Sequence, residues 1–444
     1  MTTIENNFSK NLRAIGNCPG CTTATVSIGL RYREKHGRAI HGVTEDIILA
    51  SNLKLLAAAL ATAGLLAACG GGGGPDTTPK AKVVSVKVMG DSLSDSGTFG
   101  YKFTVQGNDP TTGKPYQVWT ERIAGLYSNT LCPHYAPTGA TSFTTGKAGC
   151  NNYAIGGAQI NYVDATGQVV TGPISVLQQI KDAGAAGVTA DDLVLIDGGA
   201  NDAAQVITAV LTLQAATAKA QATQAPADAL AAQNAQKFLM ALLGSQIDAA
   251  TLGQLMSQGS TGIAQAGGLY MQTLAKKLVA TIQSELLAKG AARVALLNVP
   301  AIQMTPKFTT VLAQISQAQG AAASAQAAAL LDGWVQAFNG TLSAGVGSES
   351  RIALVDFYTE FKGQISNPAA YNFTNATVTA CSKIGTDDLS VCSADKLAAN
   401  IPAGETSADW WKSYVFANSF HPTPYAYQQM SQLVSRSLAR AGWL

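Results

Sequence analysis

The sequence predicts a doubly wound α/β fold: a parallel sheet with helices on both faces. Two observations carry this. Five short apolar segments read as buried strands: Val83–Met89, about 152–155, Leu193–Ile196, Arg293–Val299 and Arg351–Phe357. Helical patterns separate them, and strands alternating with helices close into layered sandwiches rather than barrels of hairpins.

The first segment, Val83-Val84-Ser85-Val86-Lys87-Val88-Met89, is β-branched and runs into Gly90-Asp91-Ser92-Leu93-Ser94-Asp95. A strand ending in a tight polar turn presents a serine hydroxyl rigidly at the sheet edge, where α/β proteins place their chemistry. After it, Trp119, Ile123 and Leu126 share one helical face. The second strand leads into Gly156-Gly157, and the third into Asp197-Gly198-Gly199-Ala200-Asn201-Asp202. Residues 203–262 are rich in Ala and Gln and read as a helical insertion, either a cap over the site or a surface hairpin. Ala266 to Leu287 continues helical. Residues 363–411 form a loop-rich insertion ending in Trp410-Trp411, which read first as core and second as an acyl-binding surface. The last helix begins with Thr423 as cap and Pro424 at its first position and ends near Gly442. Its buried stripe is Ala426, Met430, Leu433, Val434, Leu438 and Ala441.

Four ordered motifs carry a family resemblance. They are Gly90-Asp91-Ser92-Leu93, Ala154-Ile155-Gly156-Gly157, Gly199-Ala200-Asn201-Asp202 and Phe420-His421-Pro422. From about residue 83 to the end, the chain resembles the GDSL or SGNH hydrolases. The resemblance implies a flavodoxin-like three-layer α/β/α sandwich with a five-stranded parallel sheet, and a serine hydrolase that cleaves carboxylic esters through an acyl-enzyme. It implies Ser92 as nucleophile and His421 as base. The oxyanion donors would be the Ser92 and Gly156 N–H groups, with Gly157 the alternative to Gly156, and the Asn201 amide. Asp202 is expected to cap its helix, and Asp91 and Asp95 to serve the turn as acceptors. The implied substrate is an acyl glycerol, a short-chain ester or an acylated glycan. An acyltransferase or phospholipase using the same site, and a non-catalytic surface binding lipoprotein, are the alternatives.

One position departs from the family. Asn418 stands where the family carries the aspartate of Asp-x-x-His. An asparagine lacks charge and can turn its N–H toward the imidazole, which in serine proteases holds the wrong tautomer and costs about 10⁴ in turnover. Asn418 itself, a backbone carbonyl, or a carboxylate such as Asp409 is left to orient the ring. An Asn418→Asp change is expected to raise turnover without harming the fold.

Composition sets further bounds. The 444 residues are 47% hydrophobic and 13% charged, enough for a substantial core. A net charge of +2, falling to 22 basic against 23 acidic residues beyond position 68, gives no basic surface for nucleic acid. No phosphate-binding Gly-rich loop occurs and no cofactor is implied. Beyond that position only His134 and His421 remain, so no histidine cluster suggests a metal. His134, between Pro133 and Tyr135, reads as a loop residue.

Residues 1–69 read as an upstream stretch plus a lipoprotein signal peptide. Lys54 precedes the apolar run Leu55–Leu66, too short to span a bilayer, and Leu66-Ala67-Ala68-Cys69 resembles a lipobox with Cys69 the lipidated residue. Translation is expected to begin near Leu53. Residues 70–82 form a Gly/Pro/Thr linker, and 83–444 the hydrolase domain. Gly70, in place of an aspartate, resembles lipoproteins of the Gram-negative outer membrane. Cys18-Pro-Gly-Cys21 has no partner pair nearby. Four cysteines are left in the exported part, Cys132, Cys150, Cys381 and Cys392. They allow three pairings, of which the sequence-local one, Cys132 with Cys150 and Cys381 with Cys392, is preferred.

Overall fold

A computed structural model describes residues 81–444 except Thr145. The expectations for residues 1–80, the Cys69 lipobox, the start near Leu53 and most of the linker among them, lie outside the described residues.

Four parallel strands form the sheet in the order β1 (Ser85–Met89), β2 (Asp192–Ile196), β3 (Val294–Leu297) and β4 (Ile352–Val355). Between β1 and β2 run α1 (Trp119–Leu126) and α2 (Val176–Ala186). The β2–β3 connection holds α3 (Ala200–Thr223), α4 (Pro226–Gly244), α5 (Ala249–Met256) and α6 (Ser260–Ile282), the last ending in a π-helical turn at Gln283–Leu287. Between β3 and β4 lie α7 (Pro306–Gln319) and α8 (Ala321–Val346). After β4 come α9 (Phe357–Ser366), the short α10 (Ala394–Ala399) and α11 (Pro424–Arg440).

Among the described residues the sheet has four strands, not the five expected. The 152–155 segment lies along the outer edge of β1, where the flavodoxin-like order would put a strand, but it joins by single contacts. The Val88 N–H donates to the Asn151 carbonyl at 2.9 Å, Tyr153 N–H to Val88 at 2.7 Å and Ile155 N–H to Gly90 at 3.2 Å. One isolated parallel bridge, Val88 with Asn152, is all it forms with β1. Two asparagines at its start and two glycines at its end leave too short a run to build a ladder.

Strand side chains alternate between two cores, as the period of two requires. Val194, Ile196, Val294 and Leu296 face the core covered by α2, α3, α6 and α8. Val86, Val88, Leu193, Leu195, Ala295 and Leu297 face the one covered by α1, α9 and α11. Each such buried aliphatic side chain contributes about 1.5–3 kcal/mol relative to exposure. On α11 the apolar stripe is buried as read, with Tyr427 added and Ala441 exposed. Thr423 caps that helix by accepting the Ala426 N–H.

A third, smaller core belongs to the 363–411 insertion. It gathers Val105, Tyr116, Leu389, Leu397, Trp410 and Trp411 around the Cys381–Cys392 disulfide. Both tryptophans are buried there, and the Trp410 indole N–H donates to the Leu397 carbonyl. The second disulfide joins Cys132 to Cys150. These are the sequence-local pairs.

Candidate active site

Ser92, Asn201 and His421 arrive from three parts of the chain, all beyond the carboxyl ends of strands. Ser92 follows β1 by three residues. The intervening Gly90 is required sterically, because a Cβ there would lie 1.7 Å from the Asp197 carboxylate. The turn is then tied down internally. The Asp91 carboxylate accepts the Leu93 N–H, and its carbonyl accepts those of Ser94 and Asp95. Asp95 in turn accepts from Gly97 and Thr98. Ser94 donates its hydroxyl to Asp197 at 2.5 Å.

His421 sits in the loop just before α11, its Nε2 2.8 Å from the Ser92 Oγ. Its Nδ1 lies 3.0 Å from the Asn418 Oδ1. The orientation of that amide follows from its neighbours rather than from appearance. Oδ1 also accepts the backbone N–H groups of Phe420 and His421, at 3.0 and 2.8 Å, and Nδ2 donates to the Asp387 carbonyl at 2.9 Å. A reversed amide would set its NH₂ against two N–H donors and its oxygen against a carbonyl. The oxygen therefore faces the ring, Nδ1 carries the proton, and Nε2 accepts from the serine hydroxyl. Asp409 does not orient His421; it pairs with Lys412 at the surface.

Burial, then the charge of Lys307, pushes the His421 imidazolium pKa down to about 3. Part of that burial is the Phe103 ring, tilted over the imidazole at a centroid distance of 5.1 Å. Phe103 also fills the space in which a Cβ on Gly156 would stand, 2.1 Å from such an atom. Nothing in the pattern around Phe103 singles it out in the sequence, since its role arises only when three distant segments meet.

The two glycines differ in what their N–H groups do. The Gly156 N–H is already taken, donating to the Asp95 carboxylate at 2.8 Å. The next N–H, that of Gly157, has no partner among the described residues, and a Cβ on that residue would meet nothing within 4 Å. The Ser92 N–H is likewise unpaired. The Asn201 amide donates one hydrogen to the Ala158 carbonyl at 3.0 Å, leaving its second hydrogen uncommitted.

Asp202 is not the helix cap expected. The N-cap position of α3 is Gly199, in the left-handed region, and Asp202 instead accepts the Ile160 and Asn161 N–H groups, each at 2.9 Å. It thereby ties α3 to the loop that carries Gly157. Burial pushes its carboxyl up to about 6. Asp91 and Asp197 are both fully enclosed behind the nucleophile, and desolvation raises both, Asp197 the more strongly because Asp91 adds its charge. His134 is the loop residue expected, its Nδ1 against the Cys150 carbonyl and its ring on Tyr153.

A cleft at Ser92 and His421 is lined by Leu93, Pro300, Ile302, Phe357, Phe361, Phe416 and Phe420. Its wall is apolar and its polar atoms converge on the serine, the arrangement of a small-molecule site.

An α/β/α sandwich with a serine and histidine hydrogen-bonded at the carboxyl edge of its sheet is the architecture of a hydrolase. The chain belongs to the GDSL-like Lipase/Acylhydrolase family, which it matches over residues 86–434. It is thus a member of a family of ester-hydrolysing enzymes. No curated protein matches it. Its two disulfides suggest an extracellular or periplasmic location. Among the described residues, no helix is long and apolar enough to cross a membrane.

Proposed function

We propose that the protein is a serine esterase acting through an acyl-enzyme. The observation that supports this best is the unbroken hydrogen-bond relay from Ser92 through His421 to Asn418. Ser92 attacks the ester carbonyl while His421 takes its proton at Nε2. The same proton then passes to the departing alcohol oxygen. Water, activated by the neutral imidazole, attacks the acyl-enzyme and releases the acid. The oxyanion receives the N–H groups of Ser92 and Gly157 and the free amide hydrogen of Asn201, each such donor typically worth about 10²–10³ in turnover. The acyl group lies in the cleft walled by Phe357, Phe416 and Phe420. In this reading the enzyme is exported and held at a membrane surface by a lipid on Cys69.

The test is hydrolysis of p-nitrophenyl esters, from acetate to palmitate, by the protein and its Ser92→Ala variant. Loss of at least about 10³ in kcat/KM in the variant is expected. Equal activity in both would overturn the reading, and the acyl-length optimum separates esterase from lipase.

A further inference from the structure

No carboxylate among the described residues hydrogen-bonds the base of the candidate site. Its base faces an amide, so no fixed anion balances the imidazolium that forms as Ser92 gives up its proton. A cation stands close by. Lys307, at the start of α7, holds its ammonium 5.1 Å from the Phe420 ring centroid and 5.9 Å from that of Phe308. Phe420 lines the cleft and packs edge-on against His421. The ammonium makes no ion pair or hydrogen bond among the described residues, and the side chain is exposed. Asp387, whose charge reaches it, has its carboxylate occupied by the Ser419 N–H at 2.7 Å and the Ser419 hydroxyl at 2.6 Å. The two rings fix the ammonium at the rim of the cleft. There it opposes the very charge that catalysis must develop on His421.

We propose that Lys307 is a substrate-binding residue for anionic esters, pairing with a carboxylate or phosphate on the substrate. Bound substrate then supplies a negative charge beside the base and cancels the cation there. Binding and catalysis draw on the same pair, so the selectivity appears in kcat/KM. The inference rests on the serine-esterase reading.

The test compares two substrate pairs with the full chain: mono-p-nitrophenyl adipate against p-nitrophenyl hexanoate, and oleoyl glycerol phosphate against oleoylglycerol. In at least one pair the anionic member is expected to be favoured about five- to tenfold in kcat/KM, with the preference shrinking as salt is added. Preference in the first pair places the anion on the acyl side; preference in the second places a phosphate on the alcohol side. Lys307→Met removes the preference and raises turnover of the neutral ester, because the imidazolium is no longer opposed. Lys307→Arg keeps the preference. Equal rates within both pairs, or a preference that survives Lys307→Met, overturn the proposal. Neutral-ester hydrolysis that disappears in Ser92→Ala leaves the esterase reading standing in either case. If no ester of the four is cleaved, the esterase reading itself fails and this proposal with it.

Discussion

At His421 an amide oxygen stands where the family has a charged carboxylate, and the consequences separate into tautomer and charge. The tautomer is secure, because three N–H groups converge on the Asn418 Oδ1 and its NH₂ is held by the Asp387 carbonyl. The penalty of about 10⁴ seen when an asparagine fixes the wrong tautomer does not apply. Only charge is missing. An Asn418→Asp change supplies it, and a carboxylate this close raises a neighbouring pKa by about 1–3 units. It also turns an oxygen toward the Asp387 carbonyl in place of a donor, which costs about 1–3 kcal/mol. The expected outcome is that the acid limb of the kcat/KM profile, set by His421 near pH 3, moves up by about 1–3 pH units. Turnover gains no more than about tenfold and thermal stability falls. The sequence alone leads instead to the expectation of a gain without harm to the fold, because it does not show the Asp387 carbonyl. An acid limb that stays in place would show that the ring is oriented by something other than residue 418. The sequence could pose this question but not answer it. Asp387 lies 31 positions from Asn418, and a backbone carbonyl leaves no mark in a side-chain pattern. The sequence favours Gly156 over Gly157 for the same reason, since it cannot show which N–H the Asp95 carboxylate captures.

At the level of elements, the segment closed by Cys381–Cys392 is the support beneath the histidine loop. It contains Asp387, whose carbonyl holds Asn418 and whose carboxylate holds Ser419. It is also joined to the same loop by backbone bonds, with Ala380 N–H donating to Phe416 and Cys381 N–H to Ala417. Removing a short disulfide of this kind typically costs about 2–4 kcal/mol. Here the loss falls on a small separate core rather than on the sheet, so we expect a local effect. A Cys381→Ser, Cys392→Ser double variant should lose at least about tenfold in kcat, with KM changed much less and the main thermal transition retained. An unchanged kcat, with protease cutting the 381–392 segment, would show that the histidine loop holds itself. The strands and the final helix were legible because burial imposes period two or 3.6 on the side chains. The missing fifth strand was not, since Asn152 to Ile155 has strand-like residues but makes only single contacts with β1. In the sequence the insertion reads as a loop carrying two cysteines. Its role as a support depends on contacts with residues 416–421, which no local pattern records.

Across the whole molecule, the nucleophile end of the sheet buries a set of carboxyl groups, and each of them gives the fold a pH dependence of definite sign. Asp91, Asp95, Asp197 and Asp202 are all raised, desolvation being the leading cause for each. A carboxyl raised in the folded state contributes stability that is full below its unfolded pKa and is lost as pH rises through its folded value. His421 is lowered instead, so its contribution is full above about 6.5 and is lost as pH falls toward about 3. As pH rises, the aspartates lower stability while His421 raises it, so the two kinds of group act in opposite directions. Asp202 isolates one part of this. Its rise from 3.8 to about 6 corresponds to about 3 kcal/mol between acid and alkaline limits. Asp202→Asn removes the titration and turns an NH₂ toward the Ile160 or Asn161 N–H, so the variant is less stable throughout. Its deficit should be largest at pH 4 and narrow by about that 3 kcal/mol as the wild-type carboxyl ionises through pH 6. Denaturant titrations of both proteins from pH 4 to 8 measure the difference directly. A gap that stays constant would mean that Asp202 is ionised in the folded protein across the whole range, and that the donors from the Gly157 loop outweigh its burial.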